Sequence, residues 1–559
     1  MLYELNLKLG GEAGQGLQAL GLLLGRLYAR AGCHVFANQD NESRIRGGHN
    51  SYQLRVASRP VYTMGEAIDL LVDLDGESRR IHAPELVPGG LVLVDSASGG
   101  PREVALPLTE IARAAGGREI HRNSVAAGAV AALTGQDRDT LFPLIDETFA
   151  ADPAARAINS ACARAGYRAA LETGKSLPFA LPSRPAGRPY LNGHEALSLG
   201  CLAAGCKFMA AYPMSPSTLI ITYLSGQADA FGLVVEQAED EVAAINMALG
   251  ASYAGVRALT ATSGGGFALM VEGLSLAGML ELPVVVVIAQ RPGPATGLPT
   301  RTEQGDLLFA IGAGHGEFPR FVLAPATAAE AFAAAPRAFD LAERFQVPVI
   351  ILTDQHLAES YLTPEPFDFS RVNVTDYRLK QAASPYHRYD PGPDGVSPLA
   401  VPGTVDAVVV DSDEHDARGH IIEDAATRNA MVAKRLARIP AMRAMVSPPL
   451  RQGPPEAEDV LLGWGSGWGA LCEAGEKLAA AGRPVEVWGL QEVWPLNPEH
   501  FAPLSGRRVT VVESNATGQM ARLLSGWAAV RVARGINRYD GRPLSAAYII
   551  RHFEGGETA

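Results

Sequence analysis

The sequence of 559 residues is poor in cysteine. Its five cysteines are too few for a disulfide framework in a chain of this length, and only Cys201 and Cys206 lie close together. No C-x2-C series of the kind that binds zinc or an iron–sulfur cluster occurs. We therefore expect a reducing, cytoplasmic compartment and no metal cluster on this chain.

Long apolar runs and basic stripes are also missing. The longest apolar runs, such as "PVVVVIA", are far too short to span a bilayer, and the chain opens on an alternating strand instead of a leader. The formal net charge is -12, and no Lys/Arg-rich stripe with interleaved aromatic residues occurs. We expect neither a membrane nor a nucleic acid as partner.

What the sequence does contain is the pattern of a large α/β protein. The first segment runs from an alternating strand through a glycine-rich turn into an amphipathic helix. From Ala196, apolar strands such as "LPVVVVIAQ" and "VPVIILTD" alternate with helical stretches, which predicts a parallel sheet covered on both faces. The α/β pattern resumes at "DVLLGWGS" after a stretch rich in proline and charge.

We predict three domains with the following boundaries. The first domain spans 1–180, a linker spans 181–190, and the second domain spans 191–365. An irregular connection with one exposed helix follows at 366–455, and the third domain spans 456–559.

Two segments near the N-terminus are candidate ligand sites. "GGEAGQG" (10–16) lies between a strand and a helix, where backbone N–H groups can hold an anion, although a tight structural turn is an equal alternative. "NESRIRGGHN" (41–50) brings Arg44, Arg46 and His49 around a glycine pair. This second segment is either solvated surface or a pocket for a phosphate group or a thioester carrier.

A run of acidic residues precedes an apolar, alanine-rich helix in "EQAEDEVAAINMALG" (236–250). Carboxylates near a helix N-terminus are stabilised by the unpaired N–H groups there, which accounts for Glu236, Glu239 and Asp240. Glu241 directly adjoins the apolar run and would be drawn into the interior if the helix packs in a core. One carboxylate of this run is a candidate for chemistry.

Three further loops carry possible site residues. "AYPMSPST" (211–218) suits a rigid loop that presents Ser215 or Ser217, or merely a turn with a helix cap. "TSGGGFALMVEG" (262–273) lets backbone approach a ligand closely, or serves only helix–sheet packing. Arg291 follows the most apolar strand, at the edge where open α/β sheets bind ligands, and a buried arginine needs an anionic partner.

Together these segments resemble the α subunit of the 2-oxoacid:ferredoxin oxidoreductases in the form that has the γ subunit fused at its N-terminus. The motifs of the resemblance span nearly the whole chain: "GGEAGQG", "ESRIRGGHN", "YPMSPST", "EDEVAAI", "GASYAG", "TSGGGFALMVEG", "QRPGPATGLPT", "EQGDL", "WPL" and "VVESNATGQ". The fused layout and "DSDEHDARGH" (411–420) look most like the 2-oxoglutarate members. Their order and completeness carry the resemblance.

The resemblance implies a Rossmann-like γ domain, a pyrimidine-type thiamine diphosphate domain with a doubly wound parallel sheet, and a transketolase C-terminal-like domain. It implies that thiamine diphosphate is shared with a β subunit that binds Mg2+ and a [4Fe-4S] cluster, in an (αβ)2 heterotetramer. Coenzyme A would be co-substrate and ferredoxin the electron partner. The reaction would be oxidative decarboxylation of 2-oxoglutarate to succinyl-CoA, or the reverse carboxylation of a reductive tricarboxylic acid cycle.

By the same resemblance, Glu241 pairs with N1′ of the thiamine pyrimidine and relays the proton that activates the cofactor. Arg291 binds the carboxylate of the 2-oxoacid, and Ser215, where the family usually has threonine, contacts substrate or cofactor. The remaining residues expected at the cofactor and coenzyme A sites are Tyr212, Pro213, Gly264, Gly265, Gly14, Gly16, Arg44 and Arg46.

Several alternatives remain open. The substrate is 2-oxoglutarate, pyruvate or a broad range of 2-oxoacids; Arg301 or His315 could supply a cation for a second carboxylate. A transketolase-like or decarboxylase chain would need its own diphosphate motif, and the indolepyruvate branch would need a cysteine-rich cluster domain; neither occurs in the sequence. A non-catalytic, nucleotide-binding regulatory subunit is the alternative from another functional class.

Overall fold

The structure, a computed structural model, describes residues 4–41, 48–177, 179, 187–382, 384–405 and 407–555. The chain forms two compact units. The first unit comprises Met1–Asn192 with Glu359–Pro366, and the second comprises Gly193–Ala358 with Phe367–Ala559. Helices alternate with largely parallel strands, so the α/β class predicted from the sequence is confirmed.

The first unit contains, in chain order, β1 (Glu4–Glu12), α1 (Leu17–Arg30), β2 (His34–Asn41), β3 (His49–Ala57), β4 (Ile68–Asp73), α2 (Ser78–His82), β5 (Leu86–Asp95), β6 (Glu103–Leu106), α3 (Leu108–Ala114), α4 (Arg122–Leu133), α5 (Arg138–Thr148), α6 (Pro153–Glu172) and β7 (Leu191–Asn192).

The chain continues with α7 (Gly193–Ala203), β8 (Phe208–Ala211), α8 (Thr218–Phe231), β9 (Val234–Gln237), α9 (Glu241–Tyr253), β10 (Ala258–Thr262), α10 (Gly264–Leu280), β11 (Val284–Gln290), α11 (Leu307–Gly312), β12 (Phe321–Leu323), α12 (Ala328–Phe345), β13 (Pro348–Asp354), α13 (Gln355–Glu359) and β14 (Tyr361–Leu362). It ends with β15 (Arg378–Leu379), β16 (Leu399–Ala400), α14 (Ala425–Leu436), α15 (Ile439–Met445), β17 (Leu450–Gln452), β18 (Asp459–Trp464), α16 (Trp468–Ala480), β19 (Glu486–Leu490), β20 (Glu492–Trp494), β21 (Arg508–Glu513), α17 (Gln519–Trp527), β22 (Val532–Asn537) and α18 (Ala546–Gly555).

The sheet of the first unit has the strand order β6-β5-β4-β1-β3-β2-β14-β7. Strands β1, β4, β5 and β6 are parallel, whereas β3, β2, β14 and β7 are joined by antiparallel pairs. The alternating leucines of β1 are fully buried, and the apolar face of α1 packs with them in one core. The glycine-rich turn predicted from the sequence therefore lies where β1 ends and α1 begins.

The second unit is built on a seven-stranded sheet of order β20-β12-β13-β11-β10-β8-β9. All neighbours are parallel except β20, which pairs antiparallel with β12. Every residue of β11 is buried, as expected for a parallel strand covered on both faces. A second sheet, β17-β19-β18-β21-β22, forms the C-terminal region, which we define as residues 450–555.

The segment between these two sheets differs from the prediction of one exposed helix. It has two helices, α14 and α15, and it buries Lys434 and Arg438. The reason is electrostatic, because the carboxylate of the fully buried Glu281 pairs with Lys434 Nζ at 2.7 Å and with the Arg438 guanidinium. Most of the predicted linker at 181–190 lies outside the described residues.

Candidate functional site

The carboxyl ends of the parallel strands β8, β9, β10 and β11 lie at one edge of the sheet of the second unit. In open α/β sheets, this edge is where ligands bind. Ser215 lies in the loop after β8, and Arg291 lies in the loop after β11. Glu241 and Gly264 are the first residues of the helices that follow β9 and β10. The fold thus brings four predicted site residues to the same edge.

Glu241 is the first residue of α9, and only 3% of its surface is exposed. The preceding Asp240 caps the helix, because its Oδ1 accepts a hydrogen bond from Ala243 N at 2.7 Å. Glu236 lies in β9 and Glu239 is exposed, so neither caps the helix. The expected burial of Glu241 is confirmed.

One oxygen of the Glu241 carboxylate lacks a hydrogen-bond partner among the described residues. Among the described residues, Oε1 is buried and has no hydrogen-bond partner. A buried polar atom without a partner costs free energy comparable to a lost hydrogen bond, about 1–3 kcal/mol, and such atoms are rare in folded proteins. Glu241 Oε1 is therefore a buried acceptor without a hydrogen-bond partner among the described residues.

The three glycines at the start of α10 leave room for this carboxylate. A methyl group at Gly266 would overlap Thr262 Oγ1 and Glu241 Oε1 and would lie 2.7 Å from Glu241 Cδ. At Gly264 it would lie 2.5 Å from Asp306 Oδ2, whereas at Gly265 it would meet only the Ala295 carbonyl oxygen at 3.8 Å. Two of the glycines are thus required by close contact with a carboxylate.

The loop after β8 contacts the arginine after β11. Arg291 Nη1 donates a hydrogen bond to the Ser215 carbonyl oxygen at 2.8 Å, and Thr262 Oγ1 donates to Met214 Sδ at 3.9 Å. Tyr212 is 40% exposed, while Pro213, Ser215 and Arg291 are half-buried. The sequence suggested burial of Arg291; the structure buries this arginine only in part.

A network of buried polar side chains is hydrogen-bonded to the start of the loop that follows β11 and to its end at Asp306. His194 Nε2 lies 3.0 Å from Thr353 Oγ1, Gln290 Nε2 donates to the Thr353 carbonyl oxygen at 3.1 Å, and Gln290 Oε1 accepts from Asp306 N at 3.0 Å. Burial lowers the pKa of His194 to about 3, so this imidazole is neutral at physiological pH. The sequence analysis did not find this support, because no local pattern marks it.

Asp306 is a second carboxyl group at the site that the sequence analysis did not single out. It lies against Gly264, and burial raises the pKa of its carboxyl to about 6. The signal in the sequence was the "EQGDL" motif, which identified the segment but no role for its aspartate. Two carboxylates, Glu241 and Asp306, therefore flank the glycines of α10.

The two cations considered for a second substrate carboxylate lie on different segments. Arg301 is half-buried and packs against Gly541 of the C-terminal region. His315 is exposed, and its backbone N–H donates to Ser275 Oγ at 2.8 Å. Ser275 itself lies about 14 Å along α10 from Gly266, at a rise of 1.5 Å per residue. The structure does not bring His315 to the carboxylates.

The first unit holds the other predicted site. Gly14 and Gly16 have positive φ angles of 91° and 78°, and Gly16 immediately precedes α1, whose first turn has no acidic residue. Asn123 Nδ2 donates to the Gln15 carbonyl oxygen at 2.7 Å and closes the turn. Arg44 and Arg46 lie outside the described residues.

No cluster of three histidine, cysteine or carboxylate side chains suited to a metal ion occurs within the described ranges. The five cysteines are all buried and unbridged. Within the part of the chain that the structure describes, no helix has the length and apolar character needed to cross a membrane.

Family models match both units. A model described as "Pyruvate flavodoxin/ferredoxin oxidoreductase, thiamine diP-bdg" matches residues 199–434, and one described as "Pyruvate ferredoxin/flavodoxin oxidoreductase" matches residues 6–169. The first match covers Glu241, the glycines of α10 and Arg291. Residues 199–434 therefore match a thiamine-diphosphate-binding domain.

Alignments with similar proteins cover almost the whole chain. A 2-oxoacid:ferredoxin oxidoreductase subunit alpha from Sulfolobus sp. is 31% identical, and the alignment covers 96% of this chain and 94% of that protein. The 2-oxoglutarate oxidoreductase subunit KorA of Mycobacterium tuberculosis is 28% identical over 94% of this chain and 87% of its own length.

A solved structure is similar over the same extent. The 2-oxoglutarate:ferredoxin oxidoreductase from Magnetococcus marinus, with 2-oxoglutarate, coenzyme A and succinyl-CoA bound, matches with a TM-score of 0.92 and 30% identity over 99% of this chain and 100% of that one. This chain belongs to the α subunits of the 2-oxoacid:ferredoxin oxidoreductases. The resemblance drawn from the sequence motifs is confirmed.

Proposed function

We propose that this chain is the α subunit of a 2-oxoglutarate:ferredoxin oxidoreductase. The complex would convert 2-oxoglutarate and coenzyme A to succinyl-CoA and CO2 while reducing ferredoxin, or would run the reverse carboxylation. The observation that carries the proposal is the buried Glu241 carboxylate with an unpartnered oxygen, at a sheet edge matched by a thiamine diphosphate family. The 2-oxoglutarate relatives support the choice of substrate.

The residues present fit a thiamine pyrimidine. Glu241 would hold and return a proton at Oε1, and Gly265, where an added methyl group would meet only the Ala295 carbonyl oxygen at 3.8 Å, would leave space for a ring near the carboxylate. Tyr212 and Pro213 would line the same opening. When bound, thiamine diphosphate supplies the nucleophilic carbon that attacks the 2-oxoacid.

Arg291 would orient the substrate. One of its guanidinium nitrogens donates to the Ser215 carbonyl oxygen, which fixes the plane of the group, and a guanidinium binds a carboxylate best through two parallel hydrogen bonds. Ser215 would lie beside the substrate through this contact. The distal carboxylate of 2-oxoglutarate would need another cation, from Arg301 or from the partner subunit.

A β subunit would complete the site. Apolar side chains are exposed on the helices and the loop around the carboxylates: Val242, Met247, Leu269, Leu298, Leu308 and Phe309. An exposed apolar patch of this kind marks a protein interface. The β subunit would bring the Mg2+–diphosphate site and the [4Fe-4S] cluster, and two αβ pairs would form the heterotetramer that passes electrons to ferredoxin.

Coenzyme A would contact the first unit. The turn of Gly14 and Gly16 leads into the N-terminus of α1, which has no side-chain cap, and such a helix N-terminus suits a phosphate group. Arg44 and Arg46 would add positive charge. Arg46→Ala should then raise the KM for coenzyme A, and an unchanged KM would count against this contact.

The proposal is tested by co-expressing the chain with its β subunit. The complex should be brown and should reduce a viologen dye only when 2-oxoacid and coenzyme A are both present, with a higher kcat/KM for 2-oxoglutarate than for pyruvate. Equal values would support a broad 2-oxoacid specificity instead.

The variant Glu241→Gln should lower kcat by about 10²–10⁴-fold, because it removes a general acid–base group. Glu239→Gln is the matched control, since Glu239 is exposed two residues away. If Glu241→Gln retained full turnover, or if the chain were active alone and colourless, the proposal would be wrong. Full activity of both Glu241→Gln and Arg291→Ala complexes would favour a regulatory subunit.

A further inference from the structure

The loop that carries Arg291 runs to Asp306 and is closed at its base. Asp306 N donates to Gln290 Oε1 at 3.0 Å, so the residues on either side of the loop are held together. Its middle, residues 293–299, is exposed. Neither observation explains what fixes the outer part of the loop.

Gln304 fixes the returning end of the loop, because all its polar atoms are hydrogen-bonded to the C-terminal region. Its backbone N–H donates to the Ser514 carbonyl oxygen at 2.6 Å, and its Oε1 accepts from Ser514 N at 2.9 Å. Its Nε2 donates to the Trp464 carbonyl oxygen at 2.9 Å, and its own carbonyl oxygen accepts from Asn515 Nδ2 at 3.1 Å. Only 1% of Gln304 is exposed, so these bonds form without competition from water.

A second clamp lies next to the first. Gln519 Nε2 donates to the Gly305 carbonyl oxygen at 2.6 Å, and Gln519 Oε1 accepts from Leu308 N at 2.9 Å. Asn515 is in turn fixed by Glu513, whose carboxylate also accepts hydrogen bonds from the first turn of α17. The segments "EQGDL" and "VVESNATGQ" are therefore the two sides of one hydrogen-bonded interface.

We propose that the C-terminal region is a positioning platform for the 2-oxoacid-binding loop and that Gln304 is its principal positioning residue. The inference deepens the proposed function and rests on it. Arg291 begins the clamped loop, whereas Glu241, Thr262 and Gly266 lie outside it and contact one another, and Thr262 Oγ1 bonds Met214 in the loop after β8. Arg291 also contacts the loop after β8, through the Ser215 carbonyl oxygen, and the end of the clamped loop meets the thiamine site only where Asp306 lies against Gly264. Loosening the clamp should therefore weaken 2-oxoacid binding more than thiamine binding.

The test compares Gln304→Ala and the milder Gln519→Glu in the complex with the β subunit. Each variant should raise the KM for the 2-oxoacid, by about 10-fold or more for Gln304→Ala because a shift of about 1 Å in a positioning group is strongly felt. The thiamine diphosphate affinity, measured by quenching of intrinsic fluorescence, should change by less than about 2-fold and kcat less than KM.

A second readout requires no activity. Arg301 lies in the clamped loop and is followed by threonine, whereas Arg291 is followed by proline and resists trypsin. The full-length wild-type chain should resist cleavage after Arg301, and the Gln304→Ala chain should be cut there. Glu486→Gln is the control: it removes the ion pairs of the buried Glu486 with Arg451 and Arg507 in the C-terminal region, so it should lower the melting temperature without cleavage or a raised KM.

The inference is overturned if Gln304→Ala and Gln519→Glu leave both KM and the tryptic pattern unchanged, or if Glu486→Gln raises KM as much as Gln304→Ala. A wild-type complex that turns over no 2-oxoacid would contradict the proposed function alone, because the tryptic pattern would still decide whether Gln304 holds the loop.

Discussion

The two glycine-rich turns of this chain look alike in sequence but need glycine for different physical reasons. In the first unit, Gly14 has a φ of 91° and a methyl group there would meet no atom within 4 Å, so glycine serves the backbone conformation. In the second unit, Gly264 and Gly266 lie in a helix with ordinary dihedral angles, and a methyl group there would strike carboxylates. Gly14 is therefore needed for its backbone conformation, whereas Gly264 and Gly266 are needed for space.

The difference has a functional side. The space at Gly266 is filled by the Glu241 carboxylate itself, and Glu241 Oε1 has no hydrogen-bond partner within the described part of the chain. The first turn is instead closed by its own contacts, from Asn123 to Gln15 and from Gln15 N to Glu12 O. Substitutions that fill the space and substitutions that strain the backbone should therefore have separable effects.

The largest effect is expected for Gly266→Ala in the second turn. The added methyl group must displace Glu241 or Thr262 by about 1 Å, and misplacement of this size can cost about 10²-fold in rate. The kcat of the complex should fall by about that factor. Gly226→Ala in α8, where a methyl group meets no atom within 4 Å, should retain wild-type kcat. Equal rates for both variants would remove the distinction between the turns.

The sequence predicted the features of this site that depend on residues close together in the chain. "EDEV" and the glycine triplet each lie at a strand–helix junction, so alternation of strands and helices was enough to bring Glu241, Gly264 and Arg291 to one sheet edge. The choice of Glu241 among four acids came from the family resemblance, because α9 is apolar on nearly all sides. The assigned roles of these residues stay predictions.

Long-range contacts escaped the sequence analysis. Asp306 meets Gly264 across 42 residues of sequence, and Gln304 meets Ser514 across 210. The burial of Lys434 and Arg438 depends on Glu281, more than 150 residues earlier, so their helix pattern alone suggested an exposed surface. Such pairings depend on the packing of distant elements, which a single sequence does not display.

A smaller effect, on stability, is expected for Asp306→Asn, which tests whether the second turn crowds a carboxylate. An unfolded aspartate ionises near pH 3.9, whereas the folded pKa is about 6 because of burial. Between these values the folded protein binds more protons, so its stability falls as pH rises, and the loss is complete above about pH 6.

Asparagine carries no charge to desolvate. Asp306→Asn should therefore be more stable than wild type at pH 7, by about 1–2 kcal/mol for this partly exposed group, and the difference should vanish near pH 4. Thermal unfolding midpoints between pH 4 and 8 measure it. A difference independent of pH would mean that Asp306 is not held in a crowded, desolvated state.

The smallest effect is expected for Gly14→Ala, which tests the conformational role of the first turn. An alanine at a positive φ costs about 1–2 kcal/mol, and the open space around Gly14 adds no steric clash. Gly14→Asn should cost less, because asparagine tolerates the left-handed region better than alanine does. Both losses should appear in the unfolding of the intact chain and stay the same in the Gly266→Ala background, since the two substitutions share no neighbouring atoms. If alanine and asparagine were equally destabilising at position 14, the turn would be limited by space after all, and the contrast between the two turns would disappear.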